Sequence, residues 1–87
     1  MADVVIYTTP TCPYCIRAKA LLAKKGVAFQ NIDVSGDYEK RRWLADVTGR
    51  TTVPQIFING RSMGGYDDIA ALDRRGQLDP LLAAPAR

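Results

Sequence analysis

Apolar positions in this chain fall in short clusters whose spacing changes from segment to segment. Val4-Val5-Ile6-Tyr7 is an unbroken run, so Asp3 to Thr8 reads as a strand buried in a sheet. From Pro13 to Lys25 the spacing turns helical: Ala18, Leu21 and Leu22 share one face, while Arg17, Lys19, Lys24 and Lys25 point outward. Gly26 is placed to end that helix, with basic residues in the last turn where the helix dipole favours them. Val27 to Asp33 reads as a second strand. Strand, helix and strand within about 30 residues form a βαβ unit, which implies parallel strands and a right-handed crossover.

Ser35-Gly36-Asp37 offers capping side chains to a second helix over Tyr38 to Thr48, which Gly49 stops. Trp43, Leu44 and Val47 share its expected inner face, and on that spacing Trp43 belongs to the core rather than to a ligand. Gln55-Ile56-Phe57-Ile58, Asn59-Gly60 and Arg61-Ser62-Met63 form a hairpin pattern around a strong two-residue turn. Gly64-Gly65 breaks it, and Asp67 or Asp68 is placed to cap a third helix through Ile69, Ala70 and Leu72, ending near Gly76. Leu78 to Leu82 is expected to add a last turn, and residues 83–87 a loose tail. Residues 1–87 therefore read as a single domain: an α/β fold with a four-stranded mixed sheet in the order β-α-β-α-β-β-α.

Composition narrows the class. At 87 residues with 47% apolar content the chain is a small globular unit, and its apolar runs are too short to span a bilayer. The net charge of +3 comes from scattered pairs, Lys24-Lys25, Arg41-Arg42 and Arg74-Arg75, with no interleaved aromatics and no nucleic-acid motif. Neither nucleic acid nor membrane is an expected partner. A mildly positive surface would attract anionic substrates or acidic proteins.

The chemistry is concentrated in Cys12-Pro13-Tyr14-Cys15, which holds both cysteines of the chain. Two intervening residues let one helical turn bring the sulfurs within disulfide reach, and a pair at a strand-to-helix corner reads as a redox site. The first thiol would face solvent where free N–H groups and the helix dipole stabilise a thiolate. A zinc site would need further ligands, and the chain has no His and no third Cys. A structural disulfide suits secreted domains, but Met1-Ala2-Asp3 leads into the strand with no signal peptide, so a reducing cytoplasm is expected. Buried cysteines paired by coincidence remain open, although Pro13 suits a first helical turn better than a core position.

Three separated motifs carry a resemblance: Thr11-Cys12-Pro13-Tyr14-Cys15, Thr52-Val53-Pro54 and Gly64-Gly65-Tyr66-Asp67-Asp68. Over residues 3 to 82 the chain resembles the dithiol glutaredoxins, of the short bacterial glutaredoxin 3 type, within the thioredoxin-like fold. The resemblance implies a thioredoxin-like sheet with helices packed on both faces. It implies a glutathione-disulfide oxidoreductase, monomeric and without metal, in which Cys12 attacks mixed disulfides and Cys15 resolves them. Tyr14 would wall the glutathione groove. Pro54 would be cis, with Thr52 beside it and the Val53 backbone pairing with the cysteinyl unit of glutathione. Gly65, Tyr66, Asp67 and Asp68 would form an anion site at a helix start for the γ-glutamyl carboxylate, with Asp67 meeting the γ-glutamyl ammonium.

One departure stands out. Many relatives carry a lysine three residues before the first cysteine, taken to hold the glycine carboxylate of glutathione; here that position is Thr9. Arg41 matches a helix position where relatives place a polar glutathione contact. The implied partners are glutathione, glutathionylated or disulfide-bonded proteins such as ribonucleotide reductase, and, indirectly, glutathione reductase with NADPH. A thioredoxin-like reductant fed by a flavin reductase and a glutathione-ligated [2Fe–2S] carrier are the competing readings. Pro13-Tyr14 and the Gly64–Asp68 site count against the first. The second cysteine counts against the second.

Overall fold

The computed structural model describes residues 1–86. These residues form four strands, β1 (Val4–Thr8), β2 (Gln30–Asp33), β3 (Gln55–Ile58) and β4 (Arg61–Gly64), and four helices, α1 (Pro13–Lys24), α2 (Tyr38–Thr48), α3 (Tyr66–Arg74) and α4 (Leu78–Ala83), in the order β1-α1-β2-α2-β3-β4-α3-α4. The sheet order is β2-β1-β3-β4. β1 runs parallel to β2 and antiparallel to β3, and β3 pairs antiparallel with β4, giving the mixed sheet that the sequence implies.

Side-chain alternation in β1 gives the sheet two packed faces. Val4 and Ile6, with Ile56 and Ile58 opposite them, face Ala18 and Leu22 of α1, Ile69 of α3 and Leu78 and Leu82 of α4. Tyr7 and Phe57 face the other way, towards α2, where Trp43 lies 6.1 Å from Phe57 and 5.6 Å from Tyr7 between ring centroids. Helices therefore cover both faces.

Four expectations change in detail. β2 begins at Gln30 rather than Val27, because the residues after α1 are consumed in ending it. Gly26 adopts a left-handed φ of 71°, its N–H bonds Ala23 O, and the Val27 N–H turns back to Leu22 O. On α2 only Leu44 is buried; Val47 is 49% exposed, and Trp43, at 45%, lays one ring face on the sheet and shows the rest to solvent. The last turn is a six-residue helix, α4, anchored by Leu78 and Leu82 and by Ala2 N–H to Leu82 O. Where a loose tail is expected, Ala83 completes α4 and Asn59 Nδ2 donates to Pro85 O at 3.0 Å. Arg87 lies outside the described residues.

Candidate active site

β1 ends at Thr8, and the chain turns through Thr9-Pro10-Thr11 to Cys12, the N-cap of α1. Pro13 occupies the first helical position, where its missing N–H breaks no helix bond. Cys12 Sγ accepts the Cys15 N–H at 3.2 Å, so the sulfur takes one of the unpaired donors of the helix start. The Cys12 thiol donates to Val53 O at 3.6 Å, which joins the thiol to the loop before β3. Cys12 is half-buried, whereas Cys15 is fully buried one turn further in, and both are free thiols. Burial, with the Cys12 hydrogen bond adding, pushes the Cys15 thiol up to about 11. At neutral pH Cys15 is a protonated reserve thiol.

Beside the cysteines lies an open hollow of about 220 Å³. The Thr52-Val53-Pro54 loop forms one wall, with the Val53–Pro54 peptide cis, and Gly65 to Asp68 at the start of α3 form the other. Tyr14, 49% exposed, closes one end; its ring lies 6.4 Å from that of Tyr66, and the Arg17 guanidinium sits 5.3 Å above it.

The start of α3 differs from the expected cap. Gly65 is the N-cap, and Asp68, at the third helical position, reaches back so that Oδ2 accepts the Gly65 N–H at 2.8 Å. Gly64 must be glycine: its φ of 87° is left-handed, and a Cβ there would run into the Asp68 carboxylate. Asp68 Oδ2 also binds Arg50 Nη1 at 2.7 Å. Both contacts hold the Asp68 carboxyl below the usual range, the Arg50 bond contributing most. The Asp67 carboxylate is exposed, and among the described residues it takes no hydrogen-bond or ion-pair partner.

Eight of the residues singled out from the sequence, Tyr14, Thr52, Val53, Pro54, Gly65, Tyr66, Asp67 and Asp68, line this one hollow, with Cys12 at its edge and Cys15 beneath. Arg41 does not line it. Its guanidinium sits 3.5 Å from Thr51 O, beside a smaller adjoining recess. Arg50 lines both recesses, and sequence reasoning missed it. The available signal was its place two residues before Thr52-Val53-Pro54, facing a motif with adjacent carboxylates in need of a cation.

What the arrangement offers is a solvent-facing thiol at a helix start, a buried second thiol, an unladdered backbone segment and a helix N-terminus, all around one cleft. The glutaredoxin family model matches residues 4–63. Glutaredoxin 3 of Escherichia coli (strain K12) is 60% identical over 82 residues, spanning 94% of this chain and 99% of that protein. Among solved structures, the glutaredoxin of Brucella melitensis is 55% identical with a TM-score of 0.85, over 94% of this chain and 89% of that one. A buckwheat glutaredoxin solved in complex with glutathione is 32% identical with a TM-score of 0.87, over 93% of this chain and 76% of that one.

Proposed function

The chain belongs to the glutaredoxin family, acting as a glutathione-dependent thiol–disulfide oxidoreductase, and from that membership we propose that Cys12 is its attacking thiol and Cys15 its resolving thiol. The observation that carries the assignment is the asymmetry of the pair: Cys12 is half-buried at the helix start, and Cys15 is sealed one turn below it.

The Cys12 thiolate attacks the glutathione sulfur of a mixed disulfide. The new Cys12–glutathione bond forms as the old S–S bond breaks, and the substrate thiolate leaves. A second glutathione thiolate then attacks the adduct, releasing glutathione disulfide and regenerating Cys12. On a protein disulfide Cys12 attacks one sulfur, and Cys15, after losing its proton, attacks Cys12 Sγ. The substrate leaves as a dithiol, with a Cys12–Cys15 disulfide left behind. Two glutathiones reduce that disulfide, and glutathione reductase with NADPH restores the pool.

The high Cys15 value suits this order of events. Part of its rise comes from the hydrogen bond and the charge of Cys12, and both change once Cys12 is held in a mixed disulfide. Resolution is thereby favoured after attack.

In this reading glutathione lies in the hollow, its cysteinyl backbone paired with Val53 beside Thr52 and Pro54. Its γ-glutamyl carboxylate meets the N–H groups of Tyr66 and Asp67, and its ammonium meets the unpartnered Asp67 carboxylate. Tyr14 walls the groove, Gly65 and Asp68 shape the helix start, and Arg41 faces the glycine end. Protein substrates such as ribonucleotide reductase, a monomeric state and a reducing cytoplasmic location belong to the same proposal; no helix among the described residues is long and apolar enough to cross a membrane. The test is glutathione-dependent reduction of a small mixed disulfide by wild type, Cys12→Ser and Cys15→Ser. Loss only in Cys12→Ser supports the assignment, and activity surviving in Cys12→Ser overturns it.

A further inference from the structure

Thr8 and Gln55 are the polar side chains buried among the described residues, 2% and 0% exposed. The Thr8 hydroxyl donates to Asn31 Oδ1 at 2.6 Å. Gln55 is stranger. It opens β3 opposite Tyr7, on the sheet face where the Tyr7, Phe57 and Trp43 rings pack, a place suited to an apolar side chain. Its Oε1 is buried and accepts no hydrogen bond from any described residue. Burying an unmatched acceptor costs stability, so its retention calls for a separate reason.

The reason lies in the other end of the amide. Gln55 Nε2 donates to Thr52 O at 3.0 Å, so the side chain runs back along its own chain and spans Val53-Pro54. Sheet pairing with β1 begins only at Gln55, and among the described residues no backbone–backbone hydrogen bond holds Thr51 to Pro54. A segment whose N–H and C=O are to pair with a ligand cannot also pair with a neighbouring strand. It therefore needs a side-chain brace.

We propose that Gln55 is a positioning residue for glutathione: by holding the Thr52 carbonyl it fixes the Thr52-Val53-Pro54 loop in the conformation that the tripeptide reads. The inference rests on the reading of Val53 as the backbone contact of glutathione. Without the brace, the ligand must order the loop as it binds, which weakens binding and leaves the chemistry at Cys12 intact.

Gln55→Met keeps the length and fills the apolar site without a donor. It should raise the Michaelis constant for glutathione about three- to tenfold, the range for one lost hydrogen bond and its ordering, while saturated turnover stays within about twofold. Its melting temperature should equal or exceed that of wild type. A wild-type Michaelis constant in Gln55→Met overturns the proposal, whatever happens to stability, as does a fall in turnover alone. Backbone amide NMR separates this from the underlying reading. If the wild-type Val53 amide fails to shift as glutathione is added, the reading of Val53 fails. If it shifts equally, at the same glutathione concentrations, in wild type and Gln55→Met, only the role of Gln55 falls. Should Gln55→Met not fold, wild type alone decides: the Gln55 side-chain amide protons should exchange slowly and shift together with Val53. Exchange at the rate of a free glutamine amide overturns the brace.

Discussion

Arg50 and Asp68 meet across the mouth of the site, Nη1 to Oδ2 at 2.7 Å, and so tie the loop ahead of β3 to the first turn of α3. The same oxygen accepts the Gly65 N–H, so one carboxylate both satisfies an open donor of the helix and neutralises the cation facing the cleft. The two partners do not depend on the pair equally. Arg50 has this one ion pair, about half exposed, while Asp68 also secures the helix start.

Asp68→Ala should therefore destabilise more than Arg50→Ala. An exposed ion pair contributes at most about 1 kcal/mol, and a helix-start hydrogen bond about 1 kcal/mol more. The expected loss in urea unfolding at pH 7 is about 1–2 kcal/mol for Asp68→Ala, and a clearly smaller one for Arg50→Ala. The Asp68 carboxyl is shifted down in the folded state, so its contribution is complete above the unfolded value near 4. It disappears as pH falls through the lower folded value. The gap between Asp68→Ala and wild type should be full above about pH 5 and should close as the pH falls below about 4. Equal losses at pH 7 would show that the Gly65 bond carries no weight.

The two cysteines should differ sharply towards a limiting alkylating agent. Near neutral pH Cys12 should be labelled well before Cys15, because Cys15 is sealed from solvent and held protonated. Peptide mass spectrometry reads the order, and equal labelling rejects the assignment of roles. Cys15→Ser should keep most turnover on small glutathione mixed disulfides and lose most reduction of protein disulfides that need the dithiol. Loss of both activities would mean that Cys15 does more than resolve.

The buried thiol also predicts an alkaline weakness of the reduced protein. A group that loses its proton less readily when folded contributes stability in full below its unfolded value near 8.5 to 9. That contribution is lost as pH rises through the folded value of about 11. A rise of about two units corresponds to at most about 3 kcal/mol. Tyr7 and Lys25 are also shifted up, but they are common to wild type and Cys15→Ala. Unfolding free energies of the two proteins, both kept reduced, should converge or cross from pH 8.5 to 11, with wild type losing more. Parallel curves would refute the buried-thiol account.

How far these features were legible in the sequence depends on how local their causes are. The βαβ unit, the Asn59-Gly60 hairpin and the extent of α2 follow from short-range periodicity and turn chemistry, and the structure has them. The placement of Tyr14, Thr52, Val53, Pro54 and Gly65 to Asp68 around one hollow was legible through the three motifs. The start of β2 was not, because the Val27 N–H is claimed by Leu22 O in the helix cap, a competition that hydrophobicity does not reveal. Val47 has helical spacing for the core, but α2 touches the sheet along a narrow strip through Leu44 and one face of Trp43. Arg50 and Gln55 were missed for different reasons. Asp68, the partner of Arg50, lies 18 residues away and becomes its neighbour only once the cleft has formed, whereas the Thr52 carbonyl is three residues from Gln55, and the strand pattern does not reveal that the side chain turns back to it.

If glutathione binds as proposed, Thr9 in place of the expected lysine would leave its glycine carboxylate to other cations, and Arg41 and Arg50 are the candidates. Arg41 lies against Thr51 O beside the adjoining recess, and Arg50 lines both recesses while engaged with Asp68. A cation already neutralised by a carboxylate has less to offer an incoming anion, so Arg41 should act on the glycine end and Arg50 chiefly through the shape of the cleft. A partly exposed charge-assisted contact contributes about 0.5–1.5 kcal/mol, or about two- to twelvefold in affinity. Arg41→Ala should raise the Michaelis constant for glutathione by about that factor with saturated turnover nearly unchanged, and Thr9→Lys should lower it. Both effects are electrostatic and should shrink as salt rises from about 20 mM to 500 mM, where the screening length falls well below 10 Å. Any effect of Arg50→Ala should depend less on salt, since the ion pair it removes is internal. Wild-type glutathione kinetics in Arg41→Ala at low salt would return Arg41 to a solvated helix face, and a salt-dependent loss in Arg50→Ala alone would move the carboxylate contact to Arg50.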